Sequence, residues 1–347
     1  MTTVATEAPQ ARIIPDHARP AWQRMLLTRE MAILALLVAV VLVAAGTVQG
    51  FSQPITLRYL LLDNMPILLI ALPMTLVIVT GEIDLSVASV VGLSSVLTGV
   101  LVQAGMPFGL AAILALVAGA VAGAINGFLV TVVGLPSLAV TIGSLALFRG
   151  LAVGLLGTTA VTDFPEFWTD LAKANIGSTD LPVVTLLFLA LLVVFAAVLH
   201  FTSFGRGIFA IGLSKEGAHF SGVRVHRTKF ILFMLTGLIS ALAGIYYTLR
   251  YGSARGDNAT GLELQVIAAV LLGGVSIFGG RGAIHGVVFG VLLIGALASA
   301  LRLANVTSDV INIITGLLLV ASVVSTSVAA WFGRLRTTWR RSSRSDT

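Results

Sequence analysis

The chain has 347 residues and a formal net charge of +6; 57% of its residues are apolar and only 10% are charged. Because average soluble domains are about 25% charged, this composition excludes a soluble globular protein, and its long uncharged runs exclude the short alternating segments of a transmembrane β-barrel. The absence of cysteine excludes disulfides and thiol catalysis. The sequence therefore predicts an all-α integral membrane protein.

Hydropathy predicts about ten transmembrane helices in one domain, residues 31–330, between a polar tail at 1–30 and a basic tail at 331–347. A helix needs about 20 apolar residues to cross the hydrocarbon core. Met31–Val48 exceeds the apolar core of a cleavable signal peptide, so we expect it to persist as the first span. The predicted spans lie near 31–49, 59–80, 86–104, 108–131, 137–157, 182–201, 229–250, 263–279, 283–303 and 309–330.

The positive charges that flank the spans set the orientation. If the N-terminus is cytoplasmic, most of the 21 Lys and Arg residues fall in inside segments, whereas the longest outside loop, about 158–181, is acidic. Both termini are therefore predicted to be cytoplasmic. This topology, together with anionic lipid, accounts for the basic charge, so nucleic acid is not an expected partner.

Glu82 and Asp84 lie between two long uncharged stretches, where the second predicted span ends and the third begins. In a structural interpretation, Asp84 caps the third span by accepting a hydrogen bond from the amide of Ser86 or Val87, and Glu82 is solvated or pairs with Arg281. In a functional interpretation, the two acids belong to an inner gate or to a contact between two chains. Direct binding of a solute is a third interpretation.

Three polar residues within predicted spans are further candidates for a functional role, because polar side chains are costly there. Arg149 either extends to the outer surface or faces a water-filled translocation path. Asn126 and Thr141 either line that path or make interhelical hydrogen bonds.

Residues 202–229 form the only long cytoplasmic segment predicted between spans. Ile208, Phe209 and Ile211 precede the charged Lys215 and Glu216, which predicts a short amphipathic helix at roughly 208–220. Such a helix can dock a partner, although basic inside loops also serve only to orient a membrane protein.

The sequence lacks the patterns that ATP hydrolysis and metal catalysis require. None of the lysines follows a glycine in a phosphate-binding loop, and no histidine pair has metal-ligand spacing. We therefore expect no catalytic residue, no metal and no cofactor bound by this chain. If ATP drives its activity, another subunit must hydrolyse it.

Four stretches together resemble the permease subunits of ABC importers of the ribose/xylose/arabinose type. They are TGEIDLSVAS at 80–89, GAINGFLVTVVGLPSLAVTIGSLALFRGLA at 123–152, GLSKEGAHFSGV at 212–223 and VIAAVLLGGVSIFGGRGAIHGVVFG at 266–290. Among relatives, the rhamnose and autoinducer-2 permeases look closest. Ser214 and Gly217 depart from the asparagine and alanine that are frequent at these positions, which leaves the choice of ATPase open.

This resemblance implies a bacterial inner-membrane protein that works with three kinds of partner. These are a cytoplasmic ATP-binding subunit that uses ATP, a periplasmic or lipid-anchored sugar-binding protein, and a second permease chain in a homo- or heterodimer; membrane lipid surrounds them. The implied ATPase-contacting residues are Gly212, Lys215, Glu216, Ala218, Ser221 and Gly222.

The glycines of LLGGVSIFGGRG are expected to serve geometry. Gly273 and Gly274 allow close helix contact, while Gly279 and Gly280 form a positive-φ turn before Arg281 and the ninth span.

A second function stays open, namely an ion-coupled secondary transporter of a small polar solute. In that case Glu82 or Asp84 would bind a proton or a sodium ion.

Overall fold

The computed structural model describes residues 28–318 together with residues 320, 321 and 324. The predicted tails at 1–30 and 331–347 lie almost wholly outside these described residues, as does the last part of the tenth predicted span. In chain order the helices are α1 (Arg29–Thr47), α2 (Pro54–Val79), α3 (Val87–Gln103), α4 (Phe108–Thr131), α5 (Ser137–Leu156), α6 (Glu166–Lys173), α7 (Val184–Phe201), α8 (Ser203–Leu213), α9 (Lys215–Phe220), α10 (Val225–Tyr251), α11 (Leu262–Leu272), α12 (Ile284–Leu303) and α13 (Ser308–Leu318).

Seven of these helices are long and apolar enough to cross a membrane, namely α1, α2, α4, α5, α7, α10 and α12. Helices α3, α11 and α13 are apolar but shorter. The predicted class, an all-helical integral membrane protein, is confirmed.

Helix α2 forms the centre of the bundle. Every residue from Met65 to Val79 is buried, as expected for a helix that is apolar on all sides. Pro66 has no amide hydrogen, so the carbonyl of Leu62 loses its partner within the helix. The hydroxyl of Tyr246 on α10 donates to that carbonyl at 2.9 Å, and this bond stabilises the proline inside the helix.

Helices α4 and α10 touch through their backbones. A Cβ atom on Gly123 would meet the carbonyl of Phe233, and one on Gly237 would meet the carbonyl of Gly119. Small residues commonly allow such close approach between membrane helices. Gly123, the first residue of the 123–152 stretch, therefore allows α4 and α10 to pack closely.

The eighth predicted span, 263–279, is wrong as a continuous helix. Helix α11 ends at Leu272, and the chain continues as a glycine-rich turn with φ values of 93° at Gly274, 84° at Gly279 and 73° at Gly280. Glycine takes this left-handed conformation readily and ends helices with it. The predicted positive-φ turn is confirmed, and a Cβ on Gly273 would meet the backbone of Val287 on α12, as predicted for a close contact.

The single amphipathic helix predicted at 208–220 is also wrong. Ser214 is extended, with φ −161° and ψ 118°, and separates α8 from α9. Its hydroxyl accepts the amide hydrogen of Gly217 at 3.0 Å, which makes it the N-cap of α9. Helix α6, Glu166–Lys173 in the predicted outer loop, was not predicted from the sequence.

Candidate functional site

Three of the stretches that carry the family resemblance meet at one end of the bundle. The amide of Gly280 donates to the carbonyl of Val79 at the end of α2, at 2.8 Å. A Cβ on Gly212, near the end of α8, would meet both that carbonyl and the backbone of Gly280. We call this end, formed by residues 79–86, 212–222 and 278–282, the motif face.

Glu82 connects the motif face to the long helices. Its carboxylate is 7% exposed and accepts hydrogen bonds from Lys229 at 2.5 Å and from Lys215 at 3.1 Å. The Lys229 side chain is buried within α10, whereas the Lys215 side chain, at the start of α9, is 58% exposed. One buried carboxylate therefore joins an exposed helix to a central one.

The predicted pairing of Glu82 with Arg281 is wrong. Arg281 is exposed and makes no ion pair within the part of the chain that the structure describes. Helix α10 begins at Val225, four residues before the predicted start of the seventh span, so Lys229 lies inside the helix. This places its ammonium against Glu82.

The electrostatic surroundings of the two acids differ. Burial raises the pKa of Glu82, but hydrogen bonds from Lys229, Ser137 and Lys215 together hold it below its ordinary value of 4.5. Burial raises the pKa of Asp84 to about 6, against the lowering effect of hydrogen bonds from Ser86. Glu82 is therefore a carboxylate at neutral pH and is poorly suited to bind a transported proton.

Asp84 starts a buried chain of hydrogen bonds across three helices. It accepts from the amide and the hydroxyl of Ser86 at 2.9 and 2.6 Å, so the predicted amide bond is present. Asn126 on α4 donates to the Ser86 hydroxyl at 2.8 Å, and Ser144 on α5 donates to Asn126 at 2.5 Å. The turn before α3 is thus fixed to both following helices.

Helix α5 also holds the residue between the two acids. The carbonyl of Ile83 accepts from Thr141, and its amide donates to Ser137, both at 3.4 Å. Asn126 and Thr141, predicted to line a path or to bond between helices, therefore lie beside the acids. Asn126 bonds to Ser144 on α5, and Thr141 bonds to the segment that links α2 to α3.

Arg149 lies away from the motif face. Its guanidinium donates to the carbonyls of Gly256 at 2.8 Å, Asn258 at 2.7 Å and Ala88 at 3.3 Å. The side chain is partly buried, and two of its three partners lie in the loop at residues 252–261. Its geometry is that of a tether between α5, α3 and the loop at residues 252–261.

We expect Arg149→Met to loosen this loop. It removes three hydrogen bonds from a charged donor, and a local loss of about 2 kcal/mol corresponds to about 30-fold faster opening. Hydrogen exchange of residues 252–261, followed by mass spectrometry, measures it. The exposed Arg255→Gln is the matched control; equal exchange in the Arg149 variant and the native protein would contradict the tether.

The groove beside Glu82 has a volume of about 470 Å³ and is bordered by α4, α9 and α10. Lys215 and Lys229 line it together with His226, whose Nδ1 lies 2.6 Å from the carbonyl of Thr131. The described residues contain no group of three or more His, Cys, Asp or Glu side chains placed to hold a metal ion. Glu216 lines the groove as well, so two carboxylates and two lysines border it.

A second cavity, of about 290 Å³, lies towards the opposite end of the bundle and was not predicted from the sequence. Asp63 borders it and pairs with Arg250 at 2.9 Å and Arg302 at 3.8 Å. Asp63 and Asn64 inside the second predicted span were the signal that could have revealed it.

Comparison with known proteins identifies the family. A family model described as branched-chain amino acid transport system / permease component matches residues 56–340. The autoinducer 2 import system permease proteins LsrD of Escherichia coli O9:H4 (strain HS), Shigella flexneri and Escherichia coli O157:H7 are each 40% identical to this chain over 309 residues, covering 86% of it and 92% of the relative. No solved structure matches significantly.

These matches favour an importer permease over the ion-coupled alternative. With seven helices that are long and apolar enough to span a membrane, the chain is a multi-pass protein of the bacterial inner membrane. Members of the family are transport components, as the family description states. The chain belongs to the permease component family of the branched-chain amino acid transport systems.

Proposed function

We propose that this chain is the translocating subunit of an ATP-driven importer of a small polyhydroxylated solute, such as a monosaccharide or autoinducer-2. The observation that carries this proposal is the 40% identity to the autoinducer-2 import permeases over almost the whole of both chains. The presence of Glu82 between an exposed helix and a central helix supports it, because an importer must connect an external energy source to its path.

Ten membrane crossings with both termini in the cytoplasm fit this role. Seven long helices provide seven crossings, and the shorter α3, α11 and α13 provide the other three. Helix α11 covers about 16 Å at 1.5 Å per residue, so the glycine turn after it completes that crossing to the motif face. The motif face is then cytoplasmic, and the loop at 252–261 faces the outside.

The ATP-binding subunit docks on the motif face around α9. Three large apolar side chains are exposed there: Leu213 at 72%, Phe220 at 87% and Phe278 at 79%. Exposed large apolar side chains on one face commonly mark protein interaction sites. Because the chain has no phosphate-binding loop, the partner hydrolyses the ATP, and this chain binds no cofactor.

Lys215, Glu82 and Lys229 transmit the movement of the docked subunit. Lys215 stands at the first residue of α9, so a shift of α9 pulls on Glu82 and, through it, on α10 and the end of α2. The buried chain from Asp84 to Ser144 carries the same shift to α4 and α5. Ligation of the solute by Glu82 is not part of this proposal.

The remaining partners lie around the bundle. A periplasmic or lipid-anchored binding protein delivers the solute to the outer face, and a second permease chain, identical or related, completes the transporter. Membrane lipid covers the apolar side chains on the outer surfaces of α1, α5 and α7. Nucleic acid has no place in this assembly.

We expect Phe220→Asp to prevent recovery of the ATP-binding subunit. The substitution places a carboxylate at the most exposed of the three apolar side chains around α9. Truncation of an anchor residue in an interface commonly costs about 2 kcal/mol or more, or about 30-fold in affinity. The measurement is a pull-down of the tagged full-length chain in mild detergent. Co-purified protein is identified by mass spectrometry as carrying a phosphate-binding loop, and ATP hydrolysis is assayed.

Phe167→Asp is the matched control. Phe167 on α6 is 68% exposed but lies in the predicted outer loop, so this variant should retain the subunit. Loss with both variants would indicate general damage, and retention with both would place docking elsewhere. If the native chain recovers no such subunit and uptake follows an ion gradient, the importer proposal fails.

A further inference from the structure

The cavity of about 290 Å³ lies within the membrane-spanning part of the bundle. Asp63, Asn64 and Ile67 border it from α2, and they lie about 14–20 Å along a helix that begins at Pro54, at 1.5 Å per residue. Helices α10, α11, α12 and α13 form its other walls. Solute sites of transporters commonly lie near this depth, beside helices that do not cross the whole membrane, and α11 is such a helix.

Several polar groups in this cavity have no protein partner. The side chains of Gln265 and Ser299 make no hydrogen bond within the described residues. The amide nitrogen of Asn64 donates to the carbonyl of Leu60 at 2.7 Å, which leaves its side-chain oxygen free to accept from a ligand. Polar groups at membrane depth usually have partners, so unpartnered ones indicate contact with water or with a bound polar molecule.

The shape of the cavity favours a small molecule. Its volume, about 290 Å³, is just below the range of about 300–1,000 Å³ that small-molecule sites occupy. The rings of Tyr247 and Tyr251, 4.5 Å apart between centroids, form an apolar wall. Gly295 lies against the side chain of Asn64, and a Cβ there would meet it, so the glycine makes room for the amide.

The charged side chains that line the cavity indicate the chemical class of the ligand. Asp63 is already paired with Arg250, and Arg302 lies 3.8 Å from its second oxygen. Its carboxylate is therefore held by cations and is not available as the sole partner of a ligand ammonium group. The cavity thus combines amide and hydroxyl groups with an ion-paired carboxylate beside an aromatic wall. Such groups can form hydrogen bonds with the hydroxyls of a neutral polyol.

From this arrangement we propose that the cavity is a transient binding site for a five- or six-carbon polyhydroxylated solute during transport. Gln265, Ser299 and Asn64 bind its hydroxyl groups, and the two tyrosines bind its apolar face. The proposal rests on the proposed function and adds to it a location, a ligand class and named binding residues.

Because the chain has no cysteine, a thiol reagent can label only a cysteine that is introduced, and single cysteine variants can therefore test this site. Gln265→Cys and Ser299→Cys are each prepared in the full-length chain in right-side-out membrane vesicles. A charged, membrane-impermeant thiol reagent is added, and the rate of labelling is measured. The measurement is repeated with D-ribose, D-xylose, L-arabinose, L-rhamnose, autoinducer-2 or L-leucine in excess.

We expect both cysteines to react and at least one of the five polyhydroxylated probes to slow the reaction about fivefold. A bound ligand reduces labelling by the factor 1 + [L]/Kd, so this slowing corresponds to a probe at about four times its Kd. Ser178→Cys in the exposed outer loop should react without protection. Ser240→Cys, whose residue is fully buried on α10, should not react.

Three results would overturn the proposal. These are no labelling at residues 265 and 299, labelling that none of the probes slows, and protection by L-leucine alone. A failure of the proposed function would be seen separately, as absence of the ATP-binding subunit from the pull-down. Protection by a polyol in a chain without that subunit would support the site and reject the ATP-driven mechanism.

Discussion

Replacing Glu82 by alanine is expected to abolish solute uptake and to destabilise the folded protein by about 3–5 kcal/mol. The substitution leaves Lys229, which is 5% exposed, as a buried cation without its carboxylate, and breaking a buried ion pair from one side has a cost of this size. It also releases Lys215 and thereby disconnects α9 from α10. Thermal unfolding of the purified chain in detergent and uptake in cells measure the two effects.

A charge reversal tests whether the pair of Glu82 and Lys229 is itself required for uptake. The Glu82→Lys and Lys229→Glu single variants should both lose uptake, and the double variant should recover more of it than either. The matched control is Asp257→Ala, which breaks the exposed pair of Arg255 and Asp257, where such pairs contribute about 0–1 kcal/mol. A double variant no better than the singles would reject the pair as the connection between the two helices.

The pH dependence of stability gives a further test of Glu82. Its pKa is lower in the folded protein, so its stabilisation is complete above its ordinary pKa of 4.5 and is lost as the pH falls through the lower folded value. The stability difference between the native protein and Glu82→Gln should therefore be constant from about pH 8 to pH 5 and shrink in more acidic solution. Asp84 has the opposite sign, because its raised pKa of about 6 favours the folded state as the pH falls from 6 towards 3.8.

The fold could be predicted wherever hydropathy alone decides the structure. Uncharged runs of about 20 residues have few alternatives to a membrane helix, and α4 and α12 accordingly lie close to their predicted bounds. The failure at 263–279 has a backbone cause. Glycines do not interrupt the uncharged run, but the left-handed φ of Gly274 follows directly on the end of the helix, and hydropathy does not report φ.

The candidate site could be predicted only where its contacts are local. The bond from the Ser86 amide to Asp84 spans two residues, and an aspartate side chain commonly accepts from the backbone amide two residues on. The bond from Lys229 to Glu82 joins residues 147 apart in sequence, so it depends on how α10 packs beside α2. The polar cavity is still harder to predict from the sequence, since five helices each contribute only a few residues to it.

The packing of α4 against α10 leads to the second large expected effect, that of Gly123→Ala. A methyl group there would meet the carbonyl oxygen of Phe233 and the backbone of Met234, and neither can move without separating the helices. We expect a loss of about 3 kcal/mol, the upper part of the usual range for an overpacked core. The melting temperature of the purified chain in detergent measures the loss.

Replacing glycine by alanine is expected to stabilise the protein, rather than destabilise it, at the exposed position Gly150 on α5. A Cβ on Gly150 meets no atom within 4 Å, so Gly150→Ala should only favour the helix, by about 0.5–1 kcal/mol. The two variants add one methyl group to a helical glycine and differ only in what surrounds it. Opposite shifts in melting temperature would therefore locate the close contact at α4 and α10, whereas equal shifts would mean that intrinsic helix propensity dominates and that these backbones do not touch.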